Sequence, residues 1–280
     1  MYSNILLAVD FDRTLTGPDG NIPAKNLEAI AYFMENGGSF TVDTGRSTAT
    51  MWKYFDMIPA NAPLLLYNGS AAWDRGTLTQ LFPIDLDVWQ TMGKMARLFP
   101  DMNLEIQGAS THYLINAKPD IITLYDALEW KYEKAQWGQD VGVFLKFALF
   151  GKVRNPAVSD MYDASREELR RFDEAEALIR TLYGDKVEVF RAAPRIIDVH
   201  AKGVSKLNAA RTLQKSLAKK LLVCVGDGEN DVPMLSGADY SFCPSDAIVA
   251  DRYPTVCYCG EGAIAEVIYK KIPEILTFQP

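Results

Sequence analysis

The sequence predicts an α/β protein in which a parallel sheet is interrupted by a separate α+β unit. Three observations lead there. Apolar runs at 5–9, 63–67 and 221–225 and a short strand-like stretch at 39–42 each stop at polar residues, as strands buried on both faces do. Those at 5–9, 39–42 and 63–67 are separated by helical spans in a β-α-β-α-β order, which calls for right-handed parallel crossovers. Between about 83 and 192 the grammar changes to helices alternating with short strands, and afterwards the first grammar returns.

The elements follow in order. Residues 5–9 form the first strand and run into Asp10, with Asp12 two positions on. The stretch 16–20, Thr-Gly-Pro-Asp-Gly, is loop chemistry. Pro23 opens a helix to about Asn36, stopped by Gly37-Gly38. A strand at 39–42 leads into Asp43-Thr44-Gly45-Arg46, and a helix over about 47–57 ends before Pro59. The third strand, 63–67, closes on Asn68-Gly69, and Asp74-Arg75-Gly76 reads as a hairpin turn. In the inserted unit, helices are expected near 85–99, 119–133 and 163–183, and strands near 102–107, 111–116, 143–150 and 186–191. The last helix is the clearest, with Leu169, Phe172, Ile179 and Leu182 on one stripe. The first domain resumes with a strand at 196–199, a helix from Lys202-Gly203 to about Leu217 that carries Lys206 in its first turn, and the strand 221–225. That strand runs into Gly226-Asp227-Gly228-Glu229-Asn230-Asp231. The expected domains are 1–82 with 193–280, and 83–192.

Composition narrows the function. The chain has 280 residues, 48% of them hydrophobic, and a net charge of -7. No run of Lys and Arg resembles a nucleic-acid footprint, and no apolar stretch approaches the roughly 20 residues of a membrane helix. The start lacks a basic segment before its apolar run. The expectation is a cytoplasmic protein with no nucleic-acid or membrane partner. The four cysteines, at 224, 243, 257 and 259, lack zinc spacing and read as reduced thiols in apolar or strand-like segments.

Three separated strands thus deliver Asp10 and Asp12, then Thr44, then Asp227, Asn230 and Asp231 to one sheet edge, and Lys206 at a helix start can face the same point. Asp10 and Asp12 alternate onto one side of an extended segment. Carboxylates that close repel unless a proton or cation intervenes, and hard oxygen ligands suit Mg2+. Acids with a metal, opposed by Thr and Lys, are what a transferring phosphoryl group needs. Each piece alone has a plainer reading: a strand ending in an acidic turn, a helix N-cap at Thr44 or Ser47, a solvated lysine, an acidic loop. Val232 stands where a calcium loop needs glycine, and no Walker phosphate string exists. Order and spacing carry the weight.

In those residues the chain resembles the haloacid dehalogenase-like phosphohydrolases, the Cof-type group with an α/β cap. DxDxT is matched by Asp10-Phe11-Asp12-Arg13-Thr14, the second motif by Thr44 in Thr-Gly-Arg, the helix lysine by Lys206, and GDGxND by 226–231. The resemblance implies a Rossmann-like core with the inserted unit as cap, closing over the site and touching the leaving group. It implies Asp10 as nucleophile forming an aspartyl-phosphate and Asp12 as general acid and then base. Mg2+ would sit on Asp10, the Asp12 backbone carbonyl and Asp227. Thr44, Gly45, Lys206 and Asn230 would hold the phosphate, with Asp231 and Arg46 in support.

Three residues depart from the family pattern: Arg13 for the common Gly, Asp43 for Ala, and Leu207 for Gly. Only Asp43 is expected to shift substrate choice. In the insert, His112, Gln107, Lys146 and Trp137 are candidates for substrate contact, though each fits a structural or surface role better. The expected activity is phosphate-ester hydrolysis on a small phosphorylated metabolite, a sugar phosphate or a cofactor ester. The alternatives are a phosphosugar mutase with the same nucleophile and a non-catalytic binder of metal and phosphate ligands. The natural substrate and the oligomeric state are left open.

Overall fold

The computed structural model describes residues 1–154 and 163–277. In chain order the elements are β1 (Ile5–Val9), α1 (Ala24–Glu35), β2 (Ser39–Val42), α2 (Thr48–Met51), β3 (Leu64–Leu66), β4 (Ala71–Asp74) and β5 (Thr77–Thr79). Next come α3 (Val88–Leu98), β6 (Asn103–Gly108), β7 (His112–Ile115), α4 (Pro119–Ala127), β8 (Tyr132–Lys134), β9 (Phe144–Phe150), α5 (Arg166–Tyr183), β10 (Val187–Ala193) and β11 (Ile196–Ala201). The chain finishes with α6 (Lys206–Ser216), β12 (Leu221–Val225), α7 (Val232–Gly237), β13 (Tyr240–Pro244), β14 (Thr255–Val256), α8 (Ala263–Glu266) and α9 (Ile272–Thr277).

Two units are distinguished. The first holds Met1–Gly45, Tyr54–Thr79 and the chain from Ser205 onward. Its parallel sheet runs β14-β13-β12-β1-β2, and a parallel bridge from Asp43 to Leu65 brings β3 alongside. β1 is central because all five of its residues are buried. Leu6 and Ala8 share one face with Leu222 and Cys224, packed against Ala210 and Leu213 of α6, where each buried leucine contributes about 1.5–3 kcal/mol. From β1 the chain crosses by α1 to β2 on one side and later returns to β12 on the other. Such a reversal opens a crevice outside the strands' carboxyl ends, where open α/β sheets bind ligands.

The second unit holds Arg46–Lys53 and Gln80–Val204. Its six-stranded sheet runs β10-β11-β9-β6-β7-β8, antiparallel except between β7 and β8. Leu104, Ile106, Phe147, Leu149, Ile197 and Val199 make one face, covered by Met92 and Met95 of α3 and by Phe172, Ala175 and Ile179 of α5. α5 starts where a capping box predicts, with Ser165 and Glu168 satisfying each other's backbone N–H groups.

The structure corrects three expectations. The strand at 196–199 belongs to the second sheet, paired antiparallel with both β10 and β9. The first unit therefore resumes at Ser205 rather than 193. A short apolar run reads alike in either sheet, which is why the boundary slipped. The helix expected over 119–133 stops at Ala127, because Glu129 turns left-handed (φ 54) and the Trp130 N–H bonds back to the Tyr125 carbonyl at 2.9 Å. That is a Schellman end made without glycine. The helix expected over 47–57 is only the four residues of α2, capped by Ser47, and the segment 46–53 sits in the second unit. Among the described residues no helix is long and apolar enough to cross a membrane.

Candidate active site

The site lies in the first unit, at the carboxyl ends of β1 and β12. The Asp10 N–H continues the sheet by bonding to the Val225 carbonyl at 2.8 Å, and the Asp10 side chain is left buried at the strand's mouth. The chain then folds into a tight turn over Phe11–Leu15, closed by the Leu15 N–H on the Asp10 carbonyl at 3.2 Å. In that turn Thr14 is buried while Asp12 and Arg13 face solvent. Arg13 takes a left-handed conformation (φ 55), a position that suits glycine and costs another residue about 1–2 kcal/mol.

Lys206 opens α6, whose N-cap Ser205 accepts from the Asn208 N–H. Its Nζ, 1% exposed, donates to Asp10 Oδ1 and to Asp231 Oδ1, each at 2.5 Å. The other oxygen of Asp231 accepts the backbone N–H groups of Asp227 and Gly228, both at 2.9 Å. Glycine at 226 is what lets that carboxylate approach, since a Cβ there would come within 2.6 Å of the Asp231 Cγ. Thr14 Oγ1 donates to Asp227 Oδ1 at 3.3 Å. The Arg13 Nε lies 4.0 Å from Asp227 Oδ2, and its Nη2 donates to Asp246 at 2.8 Å.

One ammonium cannot neutralise this many acids. Burial, with the charges of Asp231 and Asp12 added and Lys206 pulling the other way, raises Asp10 to about 7. Burial and then Asp10 and Asp231 raise Asp227 to about 8. Burial would lower Lys206, but the carboxylates of Asp10, Asp231 and Asp43 outweigh it and keep the ammonium charged. Asp43 is 0% exposed. Its two oxygens have no hydrogen-bond partner among the described residues, and burial raises it well above the ordinary carboxylate value. An interior acid with no partner stays neutral rather than pay for desolvating a charge.

Thr44 follows Asp43 out of β2 and is buried, with its N–H on the Leu65 carbonyl and its carbonyl accepting from Asn68, both at 2.9 Å. Gly45 lets the Asn68 amide close in, as a Cβ would meet its Oδ1 at 2.9 Å. Asn230 lies in the loop after β12, partly exposed. Arg46 falls in the second unit, where its guanidinium donates to the Thr50 carbonyl at 3.3 Å.

Ligand atoms of Asp10, Asp227 and Asp231 lie within 4.8 Å of one another. A hard divalent cation fits that set, because crowded carboxylates whose protons are held abnormally tightly are relieved by one. The expectation placed Asp231 behind the metal ligands; the structure brings it into the acid cluster beside them. Asp12 joins the turn, with its side chain outside that cluster. Sequence reasoning missed Thr14 as a partner of Asp227 and Asp246 as the anchor of Arg13. The DxDxT spacing signalled the first of these and nothing local signalled the second.

Most of the insert candidates are buried and hydrogen-bonded within the second unit. Gln107, His112, Lys146 and His200 form one cross-strand row on the β7-β6-β9-β11 face, all buried. His112 Nε2 meets Ser47 Oγ at 2.6 Å and its Nδ1 meets the Tyr125 hydroxyl at 2.7 Å. That hydroxyl donates to Glu105. Lys146 pairs with Asp198 at 2.9 Å. Trp137 is half-exposed beside Trp89, their ring centres 5.5 Å apart.

The sequence model of the haloacid dehalogenase-like hydrolases matches residues 7–250. A Buchnera aphidicola protein is 25% identical over 237 residues, covering 82% of this chain and 80% of its own. An Escherichia coli protein named 5-amino-6-(5-phospho-D-ribitylamino)uracil phosphatase is 22% identical over 284 residues, 98% of each chain. Among solved structures, a haloacid dehalogenase-like hydrolase from Bacteroides thetaiotaomicron superposes with a TM-score of 0.77 at 18% identity, covering 97% of this chain and 100% of its own. The sugar phosphatase BT4131 gives 0.75 at 18% identity, covering 96% and 99%. With Asp10 and Asp231 held on one buried lysine and Asp227 beside them, the chain belongs to the haloacid dehalogenase-like hydrolases.

Proposed function

We propose that the protein is a Mg2+-dependent phosphatase that hydrolyses small phosphorylated metabolites through an aspartyl-phosphate on Asp10. The observation that carries this reading is the buried Asp10–Lys206–Asp231 contact, with Asp227 crowded against it. A carboxylate can approach an anionic ester only where positive charge is already fixed beside it.

Asp10 and Asp227 with the Asp12 backbone carbonyl would hold Mg2+, supported by Asp231. Bound there, the ion would supply positive charge for the phosphoryl oxygens and for the acids together. Lys206 holds Asp10 in place and offers its charge to the incoming phosphoryl group. An Asp10 oxygen bonds to phosphorus as the ester P–O bond breaks, and Asp12, at the solvent side of the turn, gives its proton to the leaving oxygen. Asp12 then takes a proton from water as that water attacks phosphorus, which frees inorganic phosphate and restores Asp10. Thr44, Gly45 and Asn230 hold the remaining phosphoryl oxygens. The relatives named as a sugar phosphatase and as a phosphatase of a phosphorylated ribityl compound favour a sugar phosphate or a cofactor ester as substrate. The test is phosphate release from a panel of phosphorylated metabolites and p-nitrophenyl phosphate at fixed Mg2+, wild type against Asp10→Asn. Turnover by the variant equal to the wild type's rejects the reading.

A further inference from the structure

Of the departures from the family pattern, Asp43 is the one expected to shift substrate choice, and it is fully buried. Arg13 is the departure that faces outward. It sits between the proposed nucleophile's partner Asp12 and the buried Thr14, and its side chain is 44% exposed. Its backbone is held left-handed (φ 55) where glycine would rest without strain. A costly conformation at a site residue is a reason to look for a function.

The guanidinium is aimed rather than loose. Asp246, from the loop after β13, takes Nη2 at 2.8 Å. Asp246 is itself fixed, accepting the Cys259 N–H at 3.1 Å and its thiol at 3.3 Å. Nε stands 4.0 Å from Asp227 Oδ2. That leaves Nη1 with no hydrogen-bond partner among the described residues, at the end of a side chain that is 44% exposed. A guanidinium is always charged and carries five donors in a planar fork, so it matches a carboxylate or a phosphate. An arginine needed only to balance Asp227 would be expected to close on it, not to stand 4.0 Å away with its Nη2 on Asp246.

We propose that Arg13 is a specificity-determining residue that binds a second anionic group on the substrate, a carboxylate or a further phosphate carried by the leaving group. The proposal rests on the phosphatase reading and narrows its substrate class to esters with an additional negative charge.

The experiment measures kcat and KM at fixed Mg2+ for wild type, Arg13→Gly and Arg13→Lys. The substrates are p-nitrophenyl phosphate, glucose 6-phosphate, fructose 1,6-bisphosphate and 2-phosphoglycolate. Arg13→Gly suits the left-handed backbone and so keeps the fold. The expected result is that wild type favours the bisphosphate or the phosphocarboxylate over glucose 6-phosphate. In Arg13→Gly that preference falls about tenfold or more, the size of one charge-assisted hydrogen bond, through KM. Arg13→Lys falls between. Which of the two esters that carry a second anionic group loses more identifies that group as phosphate or carboxylate. A preference within about twofold of wild type in Arg13→Gly overturns the proposal, as does an equal loss on all four esters carried by kcat. Wild type releasing phosphate from none of the four overturns the phosphatase reading beneath it.

Discussion

Each unit buries a cluster of charged and polar side chains, and the two clusters differ in how their charges add up. In the second unit most of the buried polar groups are paired: Ser47 to His112, His112 to Tyr125, Tyr125 to Glu105, Lys146 to Asp198, while Gln107 Oε1 has no partner among the described residues and burial raises Asp198 despite the Lys146 ammonium beside it. Burial alone would raise Glu105, but His112, Lys146 and the Tyr125 hydroxyl outweigh it and hold the carboxylate below its ordinary value. Burial and then the Lys146 charge keep His200 neutral. In the first unit Asp10, Asp227, Asp231 and Asp43 crowd one ammonium, and three of those acids are pushed up. The second unit comes close to balance, with a cation or a hydroxyl set against nearly every acid, as a fold needs for itself. The larger excess of acid in the first unit is what marks a candidate binding site.

The sharpest way to break that contrast is to remove the charges on each side. Asp10→Asn should lower phosphate release by about a thousandfold or more, since the group that bonds to phosphorus is gone. Lys206→Met should lower kcat about a hundredfold or more and also weaken the fold, because Asp10 and Asp231 lose their shared cation in a buried place. The matching change in the second unit, Lys146→Met, should lower the melting temperature by an amount equivalent to about 3 kcal/mol, with kcat per folded molecule within about threefold of wild type. Melting curves read beside steady-state rates separate the two outcomes. A large loss of kcat in Lys146→Met with no loss of stability would erase the distinction.

The next effect is on stability. Asp10 and Asp227 hold their protons to about 7 and about 8 against an ordinary 3.8. Across that interval the folded chain binds protons that the unfolded chain has released. The stability these groups contribute is therefore complete below about pH 4 and is lost as pH rises through 7 to 8. Without divalent cation, the melting temperature should fall between pH 5 and pH 8. Added Mg2+ should raise it at pH 8 by several degrees more than at pH 5, because a ligand that prefers the ionised acids gains most where protonation costs most. An equal Mg2+ shift at both pH values would mean the acids do not hold the ion.

How much of this was legible in the sequence follows the same divide. The first unit announces itself because a parallel strand buried on both faces is an unbroken apolar run, and its site residues sit where the run stops. Asp10 and Asp227 could be found that way, and Thr44 follows the shorter, mixed stretch at 39–42. The second unit's polar row was harder. Glu105 and Gln107 alternate with Leu104 and Ile106, the pattern of a strand with one wet face, yet both are buried. The end of α4 was hidden because Glu129 takes a conformation that composition assigns to glycine. The Arg13–Asp246 pair spans 233 residues of chain, and no local pattern encodes such a contact.

The smallest expected effect concerns the one acid of the crowded cluster that serves no visible partner. Asp43 lies on the same side of its strand as Thr41, which pairs with Ala8 in register, so it looks toward the face that α6 covers. Replacing it with Ala removes two unsatisfied oxygens, a gain of about 1–3 kcal/mol, and leaves a small cavity that offsets much of that gain. The net change should be within about 1 kcal/mol at pH 5. Its sign should drift with pH. The folded value of Asp43 is raised, so the stability it contributes is complete below the unfolded value and is lost as pH climbs, a loss the variant does not share. Asp43→Ala should therefore gain on wild type in melting temperature from pH 5 to pH 8. Asp231→Ala, which takes away one of Lys206's two carboxylates and leaves two backbone N–H groups unpaired, should lose several degrees at both. If Asp43→Ala instead falls as far as Asp231→Ala, its carboxyl has a partner that holds the cluster together, and the imbalance in the first unit is smaller than its geometry indicates.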